Sequence, residues 1–583
     1  MLGRASQQSN AQLSEPATAK AIVEHVLRTI VAQLTCAHRV DELLAIANQL
    51  GLKTAVASAK AKHDATASSS FTRFPQPHTL RMAMTSTSDD RTYWNATAKA
   101  TGFPQLLGDI DVDVAIVGGG IVGITTARFL KDKGLTVAVI EGRQVGRQVT
   151  GKSTAKISSQ HGLIYQSLER KFGEHRARLY GEAQETAIRK IQQVAGQYEI
   201  DCDIEPKAAY TYTQDEKHVS EIEKEVEVAR RIGLPATLVR ETDLPFEVLA
   251  AVRFDNQAQF HPTKYVAGLA QTIPGDGSHI FENSRVVDWE PTRVVTDHGT
   301  VHARHVVMAT HMPLGQIGGY YARAYPLAEP VIAARVRRVP TGMYLSVDRP
   351  SHSFRSHRNG NGDVYGIAAG TSFKPGHTDE ERQSIEDVER WLTENFDAGA
   401  IEYRWVNEDY SSMDSAPYIG WSPSIGQGYL VATGFNAWGI TNGTAAGMII
   451  ADIVTGHENP WFEIFDAGRV KPIAGGSKFV KENVEVAAHL VSGYLSRRPK
   501  SFDELSPREA AIMEIDGKRT AVFKDEQGAV HAVSAVCSHM GCIVGWNETD
   551  RTWDCPCHGS RFELSGEVIH GPATRPLGSH VTG

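Results

Sequence analysis

A pair of short cysteine–histidine motifs near the end of the chain constrains its fold more than any other feature. Residues 537–542 read C-S-H-M-G-C, and residues 555–562 read C-P-C-H-G-S-R-F. Two thiolates and two imidazoles can hold either a tetrahedral zinc ion or a [2Fe–2S] cluster. Either centre requires the two motifs to meet in the folded protein.

The residues around the two motifs resemble a Rieske iron–sulfur domain of the cytochrome bc type. Each motif contains a second cysteine, and the resemblance continues through Gly559-Ser560 and Gly571-Pro572. Histidine ligands raise the reduction potential of such a cluster above that of an all-cysteine cluster. A zinc site, which needs no second cysteine pair, is the alternative. The resemblance implies a disulfide between Cys542 and Cys557, and a cluster held by Cys537, His539, Cys555 and His558.

The composition is typical of a globular protein with two or three domains. The chain has 583 residues, of which 41% are hydrophobic and 22% charged. A net charge of −8 without basic runs argues against nucleic acid as a partner. No apolar run reaches the ~18 residues that span a bilayer, so no transmembrane segment is predicted. The two cysteines outside the motifs, Cys36 and Cys202, are expected to be unpaired, and we predict a cytoplasmic protein.

Residues 1–88 differ from the rest of the chain. They are rich in Ala, Ser, Thr and Gln, with helical apolar spacing at 17–34 and 40–50, and no chemistry is assigned to them.

The predicted organisation is a partly helical or disordered extension (1–88), an oxidoreductase domain (89–465), a connector (466–504) and a cluster domain (505–583).

Residues 111–142 carry a dinucleotide-binding fingerprint. A short apolar strand, Val112–Val117, leads into a G-x-G-x-x-G turn and a helix, and a second strand ends at Glu141. Glycines let the backbone approach a pyrophosphate that rests on the helix N-terminus, and the acidic residue can accept hydrogen bonds from ribose hydroxyls. This pattern alone permits NAD or FAD.

Later segments resemble the D-amino-acid oxidase and glycine/sarcosine oxidase superfamily, whose members bind FAD. The segments are residues 151–165, 254–265, 283–287, 305–310 and 429–443. His261 replaces a usual aspartate and His311 a common glycine, so these two turns depart from the pattern. The resemblance implies FAD bound by Gly118, Gly120, Gly123, Glu141, Gly142, Arg143, Ser153, Thr154, Ala155, Val286, Ala309, Thr310, Gly434, Gly439, Ile440, Thr441 and Asn442.

The same resemblance implies the fold class, α/β plus all-β. A Rossmann-like FAD-binding domain is interleaved with an antiparallel substrate sheet, as in D-amino-acid oxidase and glycine oxidase, and a small Rieske β-sandwich follows. Long helical runs, Leu168–Tyr198 and His218–Ile232, should pack around the sheet. The strand-like runs that would form the sheet are Ala208–Thr213, Ala324–Val336, Gly342–Val347, His352–His357 and Val364–Ala369.

The sequence indicates the substrate site less specifically than it indicates the cofactor sites. Oxidases of this superfamily that act on amino acids usually bind the carboxylate with an arginine, whose planar fork matches the anion. Arg355 and Arg323 are the candidates here, and Tyr344, His161 and Trp438 are candidates for lining the pocket. Each can equally be a packing or surface residue.

The order of domains resembles a family of D-amino-acid-oxidase-like FAD-dependent oxidoreductases with a C-terminal Rieske domain. The first hypothesis is an enzyme that oxidises a C–N bond of a small amine or amino acid. It would pass electrons singly through the cluster to an external acceptor, either a protein or a quinone. The alternatives are an electron-transfer protein between partner proteins and a redox sensor, both without a small-molecule substrate. No second nicotinamide-binding fingerprint follows, so electrons should enter from an organic substrate or a partner protein.

The cluster potential should lie below that of respiratory Rieske centres. In those domains a serine and a tyrosine donate hydrogen bonds to the cluster; Ser560 keeps the first, whereas Phe562 lacks the second hydroxyl. A hydrogen bond to sulfur stabilises the reduced cluster, so we expect Phe562→Tyr to raise the potential by roughly 60–130 mV at most. Voltammetry of both proteins measures this, and an unchanged potential would leave Phe562 as a packing residue only.

Overall fold

A computed structural model describes residues 92–315, 317–423, 428–469 and 504–579. The predicted extension and most of the predicted connector lie outside these residues, as does Cys36. All the described residues belong to one compact unit. Among the described helices, none is both long and apolar enough to cross a membrane. These helices are α1 Tyr93–Thr97, α2 Ile121–Asp132, α3 Ile164–Phe172, α4 Glu174–Gln197, α5 Glu216–Arg231, α6 Pro262–Gln271, α7 Thr378–Phe396, α8 Gly439–Val454 and α9 Phe462–Phe465.

The predicted fingerprint strands form the centre of the first sheet, whose order is β16-β17-β10-β1-β2-β7 with the β8–β9 hairpin joined to β10. β1 pairs in parallel with both β2 and β10, and its last residues are buried because helices cover the sheet. α8 packs against α2. The strands are β1 Ile110–Val117, β2 Val137–Ile140, β7 His279–Phe281, β8 Val286–Glu290, β9 Arg293–Thr296, β10 Thr300–Met308, β16 Tyr418–Trp421 and β17 Tyr429–Thr433.

The second sheet is mostly antiparallel and contains the predicted substrate strands. Its order is β15-β11-β14-β13-β12-β4-β6-β3, with β5 paired to β6. The long pair β11–β15 forms one edge of this sheet. The strands are β3 Lys156–Ile157, β4 Glu205–Thr213, β5 Ala236–Val239, β6 Ala250–Gln259, β11 Ala324–Val336, β12 Met343–Ser346, β13 Ser353–Arg358, β14 Val364–Ala369 and β15 Ala398–Ser412.

The long helical run expected over Leu168–Tyr198 is two helices. α3 ends at Phe172, and α4 begins at Glu174. Gly173 between them has φ +85°, a left-handed conformation that glycine adopts without steric cost. The periodicity of the apolar residues continues across this break, which is why the pattern predicted one helix.

The C-terminal domain consists of two small antiparallel sheets. One has the order β18-β19-β20 and the other β21-β22-β23-β24. The cysteine–histidine motifs occupy the loops before β21 and between β22 and β23, and a Cys542–Cys557 disulfide joins these loops. The strands are β18 Ala510–Ile515, β19 Lys518–Lys524, β20 Val530–Ser534, β21 Gly545–Asn547, β22 Thr552–Asp554, β23 Arg561–Phe562 and β24 Val568–His570.

A buried ionic network fastens this domain to the flavin domain. Asp550 lies 2.5 Å from the ammonium of Lys152 and 2.8 Å from the guanidinium of Arg561. Arg561 also contacts Asp554 at 2.7 Å, and Glu408 on β15 is 3.7 Å away. All five side chains are buried, and burial raises the pKa of Glu408 well above its usual range. Burial therefore favours the neutral form of Glu408 over its charged form.

Arg561→Met should weaken the docking of the two domains strongly. It leaves the buried Asp554 without a cationic contact among the described residues, which typically costs about 3–5 kcal/mol. We expect calorimetry to show a lower melting temperature. Arg382→Met is the matched control, because the Arg382–Glu548 pair crosses the same interface at 3.0 Å but is exposed, and such pairs contribute about 1 kcal/mol or less. Equal shifts for the two variants would contradict the role given to the buried network.

Candidate functional site: a flavin cavity beside an iron–sulfur centre

A cavity of about 390 Å³ lies where the two large sheets and the C-terminal domain meet. One wall contains the glycine turn after β1 and the start of α2. Another contains Gly439, Ile440 and Thr441 at the start of α8, a helix without a side-chain cap. The first peptide N–H groups of such a helix carry partial positive charge. The cavity is therefore suited to a ligand with a pyrophosphate and an electron-accepting ring.

The glycine turn is open to the cavity for a steric reason. A Cβ on Gly118, which has φ +107°, would lie 2.5 Å from the carbonyl oxygen of Ala309. A Cβ on Gly120 would meet only Thr150 Oγ1, at 3.2 Å, among protein atoms within 4 Å. Glycine is therefore required at Gly118 by the adjacent protein backbone, whereas at Gly120 it leaves room for a ligand to approach the backbone closely. At the end of β2, Glu141 accepts hydrogen bonds from the backbone N–H groups of Gly119 (2.7 Å) and Arg143 (2.8 Å).

Most of the predicted FAD residues line this cavity, and three do not. Gly123 packs against the turn, where a Cβ would lie 1.9 Å from the carbonyl oxygen of Gly118. Gly434 has φ +76° and contacts Ser412, and the Asn442 side chain bonds to Gln184 instead. None of these three residues lines the cavity, and each packs against or bonds to other protein residues. The predicted residues in the cavity wall are Gly118, Gly120, Glu141, Gly142, Arg143, Ser153, Thr154, Ala155, Val286, Ala309, Thr310, Gly439, Ile440 and Thr441.

The predicted arginines are not in the cavity wall. Arg355 is fully buried and donates to the carbonyl oxygens of Ala155 (2.8 Å) and Phe260 (2.9 Å). Burial lowers the pKa of Arg355 to about 9. Arg323 donates to the carbonyl oxygen of Ala467 and lies over the ring of Tyr418. Both arginines hold backbone segments together in this structure.

The other two candidate residues of the substrate site, Tyr344 and His161, also form hydrogen bonds to protein groups. The Tyr344 hydroxyl donates to Asp243. His161 bonds to Tyr180 Oη at 2.6 Å and to the carbonyl oxygen of Ser158 at 2.8 Å, and burial lowers its pKa to about 3. Its ring stacks on Trp438, which does line the cavity. His161 therefore orients Trp438 without reaching the cavity itself.

The sheet places polar residues in the cavity that the sequence analysis missed. Register puts Glu329 on β11 directly opposite Asn407 on β15, with Asp409 two residues further on the same face. The other polar members are Lys156 and Ser353, whose side chains are bonded to each other. The alternation of side-chain directions along β11 and β15 would have indicated that these residues share one face of the sheet. The local sequence does not show which face of the sheet covers the cavity.

The predicted metal ligands converge in the C-terminal domain. Cys537 and Cys555 are buried, unpaired by a disulfide and within hydrogen-bond reach of each other, and the rings of His539 and His558 are 5.0 Å apart. His558 Nδ1 and both ring nitrogens of His539 are buried without hydrogen-bond partners among the described residues. Buried polar atoms without partners are rare unless they bind a ligand. This donor set fits a cluster with two sulfur and two nitrogen ligands.

The two predicted tuning residues differ in their surroundings. The Ser560 hydroxyl is within hydrogen-bond reach of Cys537 and accepts a hydrogen bond from the N–H of Ala573 at 3.1 Å. Phe562 is fully buried between β22 and β24. Ser560 is therefore in place to donate a hydrogen bond toward the centre. The role of Phe562 stays a prediction.

The cluster site and the cavity share a wall. Residues 568–571, 573 and 574 of the C-terminal domain line the cavity. From the other side, the ring of Tyr321 contacts both His539 and His558, with centroids 5.4 Å apart in each case and nearly perpendicular planes. The Tyr410 hydroxyl lies 3.0 and 2.9 Å from the carbonyl oxygens of His558 and Gly559. The histidine side of the centre thus faces the flavin domain.

A dinucleotide cavity joined to a cysteine–histidine centre defines a flavin-dependent oxidoreductase with its own electron-transfer domain. The chain belongs to the DAO family of FAD-dependent oxidoreductases, whose family model matches residues 113–453. The model of the Rieske [2Fe-2S] domain matches residues 500–581. FAD and a Rieske-type [2Fe–2S] cluster are therefore its cofactors, which favours the cluster over zinc.

Similar proteins agree with this assignment. YhfW of Bacillus subtilis (strain 168), named as a Rieske 2Fe-2S iron-sulfur protein, is 37% identical over 492 residues, which cover 83% of this chain and 96% of YhfW. Gamma-glutamylputrescine oxidoreductase of Escherichia coli (strain K12) is 25% identical over 408 residues, 65% of this chain and 92% of that protein. Glycine oxidase from Geobacillus kaustophilus has a TM-score of 0.52 at 18% identity, covering 62% of this chain and 99% of the oxidase. The predicted glycine-oxidase-type fold is confirmed.

Gly120→Val should abolish FAD binding and leave the cluster in place. The valine side chain would enter the space that the glycine leaves open at the helix N-terminus, while the C-terminal domain keeps its own sheets and ligands. Flavin absorbance together with iron and sulfide assays measures both cofactors. Gly196→Val is the control, because a Cβ at Gly196 in α4 meets nothing within 4 Å. Normal flavin content in Gly120→Val would contradict the assignment.

Proposed function

We propose that the enzyme oxidises a C–N bond of a small amine or amino acid at FAD. Electrons would leave singly through the Rieske cluster to an external acceptor, either a protein or a quinone. FAD supplies two-electron chemistry and the cluster one-electron chemistry. The observation that carries the proposal is the shared wall, in which residues of the Rieske domain line the flavin cavity.

The ionic network supports electron transfer between the two redox sites within one chain. It fastens the Rieske domain to the flavin domain through buried charges, so the two redox sites are held side by side. Two further contacts lie at the cavity itself: Arg143 pairs with Glu563 at 2.5 Å, and the N–H of Gly315 donates to the carbonyl oxygen of Pro572 at 3.1 Å.

The residues around the cavity would position the substrate and accommodate negative charge. The uncapped start of α8 offers backbone N–H groups and a positive dipole end, which stabilise developing negative charge. The loop before it is held by Asp409, which accepts a hydrogen bond from the N–H of Ala437. Asp409 also accepts from His311 Nε2 at 2.7 Å. Trp438, stacked on His161, closes this side of the cavity.

The gamma-glutamylputrescine oxidoreductase and glycine oxidase relatives act, by their names, on nitrogen-containing compounds. Their similarity supports a nitrogen-containing substrate here. The cytoplasmic location and the absence of a nucleic-acid partner stay predictions from composition.

An anaerobic substrate panel tests the proposal. We expect one amine or amino acid to bleach the flavin absorbance, followed by the electron paramagnetic resonance signal of a reduced Rieske cluster in the same protein. Gly120→Val, which should lack FAD, is the control and should show no cluster reduction by that compound. If the panel leaves FAD oxidised while a ferredoxin-like protein reduces both centres, the relay between proteins is the better description.

A further inference from the structure

One face of the antiparallel sheet presents a pair of opposite charges to the flavin cavity. Lys156 begins β3 and Glu329 lies within β11, and both line the cavity. Each shifts the pKa of the other, but no ion pair within 4 Å joins them among the described residues. Both side chains can therefore face a ligand in the cavity.

Glu329 has no partner for its carboxylate. It makes no hydrogen bond or ion pair to another residue in the described part of the chain, and it faces the cavity. Burial raises its pKa to about 7, helped by nearby Asp409 and opposed by Lys156. Glu329 is only partly exposed, and a carboxylate in a cavity wall without donors favours a cationic ligand.

Asn407 adds a second acceptor beside Glu329. The two residues are cross-strand partners on β11 and β15, which places their side chains on the same face. The Oδ1 atom of Asn407 is buried and has no hydrogen-bond partner among the described residues. An ammonium group, with three N–H donors, matches two such acceptors.

Lys156 offers the complementary charge. Its side chain is buried and donates one hydrogen bond, to Ser353 Oγ, which leaves two N–H groups for a ligand. Burial lowers its pKa to about 7, with a further decrease caused by Arg355. A ligand carboxylate at this position would stabilise the ammonium form. The arginines expected from the sequence cannot do this, because Arg355 and Arg323 bond to backbone carbonyl groups outside the cavity.

We propose that Lys156 binds the carboxylate, and Glu329 with Asn407 the ammonium group, of an amino-acid substrate. This inference rests on the proposed function and narrows it, because a simple amine or polyamine would leave Lys156 without its anion. The substrate class is an amino acid whose amino and carboxylate groups are close enough to span the gap between the two side chains.

The test measures binding to the oxidised holoprotein without turnover. The probes are 2-aminoisobutyrate, which has both groups but no α-hydrogen to lose, pivalate, which has only the carboxylate, and tert-butylamine, which has only the ammonium group. Titrations follow the change in the flavin absorption spectrum. Wild-type protein should bind 2-aminoisobutyrate more tightly than either single-charge probe.

The variants should distinguish the contribution of Lys156 to binding from that of Glu329. We expect Lys156→Gln to weaken 2-aminoisobutyrate and pivalate by about tenfold or more, since charge-assisted hydrogen bonds are the strong ones, and to leave tert-butylamine unchanged. Glu329→Gln should weaken 2-aminoisobutyrate and tert-butylamine but not pivalate. Lys156→Arg should retain carboxylate binding. Lys207→Gln is the matched control, because Lys207 lies on β4 of the same sheet, pairs with Glu205 at 2.7 Å and does not line the cavity.

The proposal would be overturned by unchanged affinities in Lys156→Gln, or by no preference of the wild type for 2-aminoisobutyrate. Equal weakening of all three probes by Lys156→Gln would also do so, because it would indicate a structural role only. Flavin bleaching in the anaerobic substrate panel is an independent measurement. Flavin bleaching by an amine that lacks a carboxylate would refute this recognition site and keep the proposed function. Selective binding of 2-aminoisobutyrate without bleaching by any compound would keep the site and refute the function.

Discussion

The contact of Asp550 with both Lys152 and Arg561 is the interaction on which the arrangement of the two redox sites depends. Lys152 ends the short 3-10 turn Val149–Lys152 that precedes β3, and the next two residues, Ser153 and Thr154, line the flavin cavity. Arg561 begins β23, directly after the second cluster loop and three residues after His558. One buried carboxylate therefore connects the backbone at the flavin to the backbone at the cluster. Because unpaired buried charges are so unfavourable, this network tolerates only one relative placement of the domains.

Other features of the interface are consequences of that close placement. Gly376 and Gly545 approach so closely that a Cβ on Gly545 would lie 2.0 Å from the carbonyl oxygen of Gly376. Gly559, next to the ligand His558, has φ +65°, and a Cβ there would collide with Glu408 and Tyr410. Glycine is required at both positions by packing between domains. The same packing brings Tyr321 against the two histidines and the β24 segment against the cavity.

The flavin cavity combines two kinds of wall with different chemistry. The Rossmann side offers backbone N–H groups and glycines, which suit an anionic nucleotide of any such enzyme. The sheet side offers the charged side chains of Lys156 and Glu329 and the amide group of Asn407. The first wall therefore suits the pyrophosphate of the cofactor, and the second carries the residues proposed to recognise the substrate. The Rieske domain forms a further wall, so the electron-transfer domain lies directly beside the flavin cavity.

The sequence by itself determined the elements that depend on local patterns. Strand β1, the glycine turn and helix α2 follow from apolar runs and glycine spacing, and the cluster ligands follow from residue type and spacing. Strands β11 and β14 begin and end at the predicted residues. Gly173 divides a predicted helix, because the spacing of apolar residues carries no information about a residue in the left-handed conformation. Only the tertiary structure decided which buried polar residues face the cavity. Arg355 and Lys156 are both basic residues on buried strands, and their roles depend on sheet curvature and long-range packing, which bring Lys156 to Ser353 and turn Arg355 toward backbone carbonyl groups.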